Sequence, residues 1–129
     1  MDRITLLTQT HHELLAADAD RPAMFGALLL AIDTATAAAD ADPDHADTWD
    51  FCTLDLREAA VQLRPQLGDS VAIAPDLPPV DQVDARLSST LCALLTVLAQ
   101  RYRGTPAGLS HDLDVAVATQ LDRAAAALS

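Results

Sequence analysis

The sequence predicts an all-α fold: a compact bundle of four to five antiparallel helices, formed as one domain over residues 1–129, with an ordered Pro-rich crossover loop at 65–80. Two observations carry this prediction. Apolar residues recur at spacings of three and four in five segments, each bounded by Pro, Gly or Asp. Ala and Leu, both strong helix formers, supply 26 and 21 of the 129 residues, which allows a sizeable core in a chain of one-domain length.

The first two helical patterns cover about 2–19 and about 20–39. One face of the first helix carries Ile4, Leu7, His11, Leu14 and Leu15. For the second, Asp20 is suited to cap the N-terminus, and Pro22 fits the first turn because its missing N–H has no partner there. Residues 23–32 are apolar on all sides, which is typical of a helix enclosed by other helices.

The third helix is predicted to begin near Asp47 or Thr48 and to end before Pro65, because a residue that precedes proline disfavours helical geometry. Its inner face carries Trp49, Cys52, Leu56, Ala59 and Leu63. The fourth helix is predicted to begin at Asp81 as the capping residue. Its inner face carries Val83, Leu87, Leu91, Leu95, Leu98 and Tyr102. Since 91–99 is apolar nearly all round, we expect the second and fourth helices to form the middle of the bundle.

The fifth helix is predicted to begin either at Thr105-Pro106 or at Ser110, and to continue to the C-terminus. Its inner face carries Leu113, Val117, Leu121, Ala124 and Leu128. The loop at 65–80 contains four of the seven prolines and cannot be helical throughout. Its apolar residues Leu67, Val71, Ile73 and Leu77 indicate that it packs on the bundle.

The charge of the chain narrows the classes of partner. Nineteen acidic residues, 17 of them Asp, stand against eight Arg and no Lys, giving a net charge of −11. Nucleic-acid binding needs basic residues to neutralise phosphates, and an anionic membrane surface attracts basic segments, so we expect neither partner. The longest apolar run, 23–32, is also too short to span a bilayer. Residues 1–47 alone carry a net charge of −7, which favours a basic protein partner at one part of the surface.

The cysteines and the N-terminal residues indicate a cytoplasmic protein. Cys52 and Cys92 lie within apolar helical patterns, far apart and outside any CxxC spacing, so we expect two reduced core thiols. The first residues lack the basic start, apolar stretch and cleavage site of a signal peptide. The use of Arg without Lys, together with abundant Ala and Asp, is typical of a bacterial genome of high GC content.

His11 is the first candidate for chemistry, because its helical spacing places it on an apolar face where the ring needs a partner. A ligand or metal site between helices would combine it with His45, Glu58 or His111. No ExxH or HExxH pair is present, so we expect neither a metal nor another cofactor.

The acidic connection at 40–50 resembles a calcium-binding loop only in part. Three aspartates fit the first, third and fifth positions, but His45 replaces the required Gly and Phe51 replaces the bidentate Glu. Turn and capping chemistry explains these residues better. We therefore expect an acidic interaction surface formed by Asp40, Asp42, Asp44 and Asp47.

Three functional hypotheses follow. The first is a small acidic interaction or regulatory module that engages a basic partner protein and forms a homodimer; with no catalytic motif, an enzyme is not expected. The alternative is an enzyme or sensor of the helical-bundle type, with a small-molecule or metal site between helices around His11. The third is a structural subunit of a larger assembly.

Overall fold

The computed structural model describes residues 2–16, 20–67, 77–80, 82–105 and 111–128, and this part of the chain contains helices and no strand. Its α-helices are α1 (Arg3–Ala16), α2 (Arg21–Ala41), α3 (Ala46–Leu67), α4 (Ala85–Arg103) and α5 (His111–Leu128). A short 3-10 turn, Pro43–His45, connects α2 to α3. The predicted all-α class and its five helices are therefore confirmed.

Four of the helices pack as a ring in the spatial order α2, α3, α5, α4, and α1 lies outside this ring against α4 and α2. As a result, α2 and α4 each pack against three other helices, whereas the remaining three each pack against two. This agrees with the enclosed positions that the apolar stretches 23–32 and 91–99 indicate.

The core consists mainly of Leu and Ala side chains. On α4, Leu91, Leu94, Leu95 and Leu98 are completely buried, and they supply much of the apolar area removed from water. On α2, buried Ala31, Ala35 and Ala38 present small side chains. Small residues allow neighbouring helices to approach closely, so α3 packs tightly along α2. The five inner residues predicted for α3, from Trp49 to Leu63, are all buried.

The helix starts agree with the sequence at α2 and differ from it at α4. Asp20 caps α2 as predicted, and its Oδ1 accepts a hydrogen bond from the Ala23 N–H at 2.9 Å. The prediction that α4 begins at Asp81 is wrong: α4 begins at Ala85, and its cap is Asp84, which accepts from the Leu87 N–H. Both aspartates have capping chemistry, and the one nearer the helix provides the cap. Asp81 itself, like the predicted cap Ser110, lies outside the described residues.

The end of α3 also differs from the prediction, because the helix continues through Pro65 to Leu67. Proline removes one backbone N–H, the one that would bond to the Val61 carbonyl, but here it lies in the last turn, where only that bond is lost. Arg64 and Pro65 are both exposed, so water can reach this turn and satisfy the free carbonyl. The restriction on the residue before proline therefore does not end the helix here.

Arg3 joins α1 to α2 and to the end of the predicted loop. Its guanidinium is 5% exposed and donates hydrogen bonds to the Pro78 carbonyl at 2.8 Å, to Asp33 Oδ2 at 2.7 Å and to Thr34 Oγ1 at 3.0 Å. Of the loop predicted at 65–80, the structure describes, beyond the end of α3, only 77–80, where Leu77 and Val80 pack on the core. The remainder, including Val71 and Ile73, lies outside the described residues.

Within the described chain, α2 is the one helix whose length and composition would allow it to cross a membrane. Half of its most apolar 18-residue window is buried inside the bundle. Core helices of soluble proteins and signal sequences meet the same two criteria.

Candidate functional site

The predicted acidic surface lies at the end of the bundle where α2 ends and α3 begins. We call the four residues Asp40, Asp42, Asp44 and Asp47 the acidic end. Asp40 is in the last turn of α2, Asp42 precedes the 3-10 turn, Asp44 lies within it, and Asp47 lies in the first turn of α3. All are exposed except Asp42, which is half-buried.

Only one of these four carboxylates has a side-chain partner in the described chain. The oxygens of Asp42 lie 3.2 and 3.0 Å from Nδ1 of His45, the predicted site residue of the 3-10 turn. In the described part of the chain, Asp40, Asp44 and Asp47 form no ion pair and accept no side-chain hydrogen bond. These three carboxylates are therefore free to bind a cation from outside the chain.

A cavity of about 370 Å³ adjoins the acidic end. Its lining includes the polar residues Asp42, His45 and Asp84, and also the apolar residues Trp49, Val83 and Leu128. The end of α2, the start of α3, the start of α4 and the end of α5 therefore all reach this cavity. An apolar surface beside exposed carboxylates suits a basic side chain with an apolar stem, such as Arg or Lys.

A second surface depression contains His11. It is a groove of about 720 Å³ along α4, between α1 and α5. Small α4 residues form its floor, and half-buried His11 and Leu128 line its two sides. The floor residues are Ala85, Ser88, Ser89, Cys92, Ala93 and Thr96. The groove is thus largely apolar, with an imidazole and a few hydroxyl groups.

The structure does not bring the predicted histidine and glutamate residues together. His11 lines the groove along α4, His45 lies at the acidic end, Glu58 is exposed on α3, and His111 begins α5. Nδ1 of His111 is buried and has no hydrogen-bond partner among the described residues. Across that part of the chain, no group of three His, Cys, Asp or Glu side chains could hold a metal ion.

At the opposite end of the bundle lies a buried ion pair that the sequence interpretation missed. Arg21, the first residue of α2, donates from Nη1 and Nη2 to the two carboxylate oxygens of Asp114, at 3.1 and 2.5 Å. The Thr105 hydroxyl also donates to Asp114, at 2.7 Å. Asp114 is 1% exposed, and burial alone would raise its pKa, but the bonds from Arg21 and Thr105 outweigh burial and lower it below 3.8. The sequence signal that could have indicated the burial of Asp114 is periodicity, because Asp114 shares a helix face with Val117 and Leu121.

Arg101 lies at the end of α4 but forms its hydrogen bonds with a different helix. It lies in the last turn of α4, where a positive charge interacts favourably with the dipole of that helix. Its guanidinium instead reaches α1, donating to the Leu14 carbonyl at 2.6 Å and to the Leu15 carbonyl at 3.0 Å. Arg101 therefore satisfies carbonyls near the C-terminal end of α1.

The two cysteines differ in exposure, and neither forms a disulfide. Burial raises the pKa of Cys52 to about 12, so this thiol stays protonated. Cys92 is half-buried in the groove along α4, and its thiol donates a weak hydrogen bond to the Ala125 carbonyl.

Compared with protein-family models, curated proteins and solved structures, the chain has no significant match.

Proposed function

We propose that this protein is a small acidic interaction or regulatory module that binds a basic partner protein through the acidic end. The observation that carries the proposal is the group of three exposed carboxylates, Asp40, Asp44 and Asp47, which have no partner in the described chain. The adjoining cavity provides apolar contact for the stem of a basic side chain.

The proposal includes the antiparallel arrangement expected for the helices of the ring. It is supported at the acidic end, where α2 and α5 finish and α3 and α4 begin around one cavity. At the other end, the ion pair between Arg21 and Asp114 joins the starts of α2 and α5. Neighbours in the ring then run in opposite directions, whereas α1 departs from the antiparallel arrangement expected for the whole bundle: it runs in the same direction as α4, and the ends of these two helices meet at Arg101. In this arrangement the end of α3 and the start of α4 lie at opposite ends of the bundle, as the predicted crossover between them requires.

The location and the excluded partners complete the proposal. A net charge of −11 supports a protein that binds neither nucleic acid nor an anionic membrane surface. The two free cysteines support a cytoplasmic location. Burial of half of the apolar window of α2 supports its role as a core helix of the bundle.

The test is to immobilise the chain and capture binding proteins from a lysate of its native host. The immobilised chain is then washed at low salt and at about 1 M salt, where the screening length falls to about 3 Å. One variant removes two of the four charges of the acidic end with Asp40→Asn and Asp44→Asn. The matched control removes the same two charges at the opposite end with Glu13→Gln and Asp112→Asn, both at exposed positions. Mass spectrometry identifies what each bait retains.

A basic protein that binds the parent chain and the control, but leaves at high salt and fails to bind the acidic-end variant, would support the proposal. Equal recovery by both variants would place the binding site elsewhere. Recovery of the bait alone at both salt concentrations would overturn the interaction function.

A second candidate function is the binding of a small apolar molecule in the groove along α4. The groove has about 720 Å³ of space, within the range of known ligand pockets, and His11 provides a polar group to orient a ligand. The hypothesis around His11 included either a small-molecule site or a metal site. The geometry favours the small-molecule site, because the other predicted metal ligands, His45, Glu58 and His111, do not line this groove.

The groove is tested by titrating a long-chain fatty acid and following its binding by calorimetry. Ala93→Trp fills the groove from its floor and should abolish binding, whereas Val115→Trp, at an exposed position of α5 outside the groove, should not. His11→Ala should weaken binding without unfolding the protein. Absence of saturable binding to the parent chain would remove this candidate.

A further inference from the structure

The exposed face of α3 carries apolar side chains that no other part of the described structure covers. Phe51, Leu54 and Val61 are 66%, 64% and 71% exposed, and they are three of the five large exposed apolar residues in the described chain. Helical spacing places them on one face together with Glu58 and Pro65. Such a seam of apolar residues is typical of a helix that packs against another helix.

A row of charged residues runs along one edge of this seam. Asp50, Arg57 and Arg64 follow one another at seven-residue intervals, and all three are exposed. None of them forms an ion pair within the described chain. The two ends of the row therefore carry opposite charges and complement each other when two copies meet in reverse orientation, while Arg57 in the middle meets Arg57 of the other copy.

We propose that α3 binds α3 of a second copy of this chain, in antiparallel orientation, around a two-fold axis near Arg57. In this arrangement the charged row faces itself in reverse, so Asp50 of each copy lies opposite Arg64 of the other. Leu54 and Val61 fill the seam between the two helices. A parallel pair would instead bring Asp50 towards Asp55 of the other copy, where like charges repel.

The charge of the protein and the size of this face set the strength of the dimer. Two copies each carry a net charge of −11, which opposes association, and one helix face is small compared with a stable interface. The dimer is therefore weak and depends on concentration. Salt screens both the overall repulsion and the pairing of Asp50 with Arg64, so charge exchange is a sharper test than salt.

The experiment is sedimentation velocity of the full chain over a wide range of concentration, with circular dichroism to verify folding of each variant. The parent chain should change from monomer to dimer as concentration rises. Leu54→Glu should remain a monomer, because it replaces an apolar contact of the seam with a second carboxylate beside Glu58. Leu15→Glu, at a 54% exposed apolar position on α1, is the matched control and should dimerise like the parent.

Charge exchange tests the orientation. Asp50→Arg alone and Arg64→Asp alone should each weaken dimerisation by about 3- to 30-fold, as two symmetric pairs become repulsive. The double variant should recover the parent affinity. A monomer at every concentration, or a dimer that is unaffected by Leu54→Glu, would overturn the proposal. Failure of the double variant to recover would overturn the antiparallel pairing.

Discussion

Replacement of Arg21 by Met should destabilise the fold far more than its position at the start of a helix suggests. The substitution keeps an unbranched apolar stem but removes both hydrogen bonds to Asp114. The Asp114 carboxylate then stays 1% exposed with only the Thr105 hydroxyl as a side-chain partner. The change therefore leaves a buried charge without a counter-ion.

The two partners of this pair differ in exposure, so their removal should have different costs. We expect Arg21→Met to cost about 3–4 kcal/mol, as when a buried ion pair loses one partner. Asp114→Asn should cost less, about 1–2 kcal/mol, because Arg21 is 36% exposed and water can solvate its remaining charge. Arg103→Met, which breaks an exposed pair with Asp122, is the matched control and should cost about 0–1 kcal/mol.

Urea unfolding gives these free energies, followed both by circular dichroism and by the fluorescence of Trp49, the single tryptophan, which is buried. In the parent chain the pKa of Asp114 is lowered below 3.8, so its contribution is present above that pH and is lost as the pH falls through the folded value. In Arg21→Met burial raises this pKa, so the variant's deficit should shrink on acidification. A cost for Arg21→Met no larger than that for Arg103→Met would refute the reasoning.

Three further perturbations test the core, a helix end and the response to alkali. Leu95→Ala removes a fully buried side chain and should cost about 2–5 kcal/mol in urea unfolding; a cost below about 0.5 kcal/mol would show that α4 is not central. Arg101→Met should increase hydrogen exchange at the end of α1 and cost about 0.3–2 kcal/mol, whereas unchanged exchange would show that water replaces the guanidinium. Burial raises the pKa values of Cys52, from 9.0 to about 12, and of Tyr102. The unfolded chain therefore loses these protons at a lower pH than the folded chain does. The free energy of unfolding should be unaffected by these groups below about pH 9 and should fall above it, and Cys52→Ala should make the fall shallower.

The sequence predicts the helices well because their inner faces depend on local periodicity. The buried residues from Trp49 to Leu63 on α3 and the Leu residues of α4 follow spacings of three and four that any helix imposes. Asp20 was recognised as a cap because a local side-chain oxygen is all that a cap needs. The errors, at Asp84 and Pro65, concern helix ends, where two adjacent solutions differ little in free energy.

The side-chain contacts between helices could not be predicted, because they depend on which ends meet. The bonds of Arg101 to α1 carbonyls join residues more than 80 positions apart, and those of Arg21 to Asp114 join residues 93 positions apart. Periodicity could place Asp114 on an inner face but could not identify its partner. Likewise, periodicity places His11 on the same face as Leu7 and Leu14, but nothing local indicates that a groove along α4 adjoins it.

The distribution of the ion pairs bears on which surface binds a partner. The pairs that join helices use acids away from the acidic end, as in the contacts of Arg3 with Asp33 and of Arg21 with Asp114. The exposed carboxylates Asp40, Asp44 and Asp47 add repulsion between like charges without any stabilising ion pair in the described chain. A basic partner would relieve this repulsion as it binds, whereas the charge of Asp114 is already neutralised inside the fold. Carboxylates that form no ion pair in the described chain are therefore better suited to binding a basic partner than those already paired within the fold.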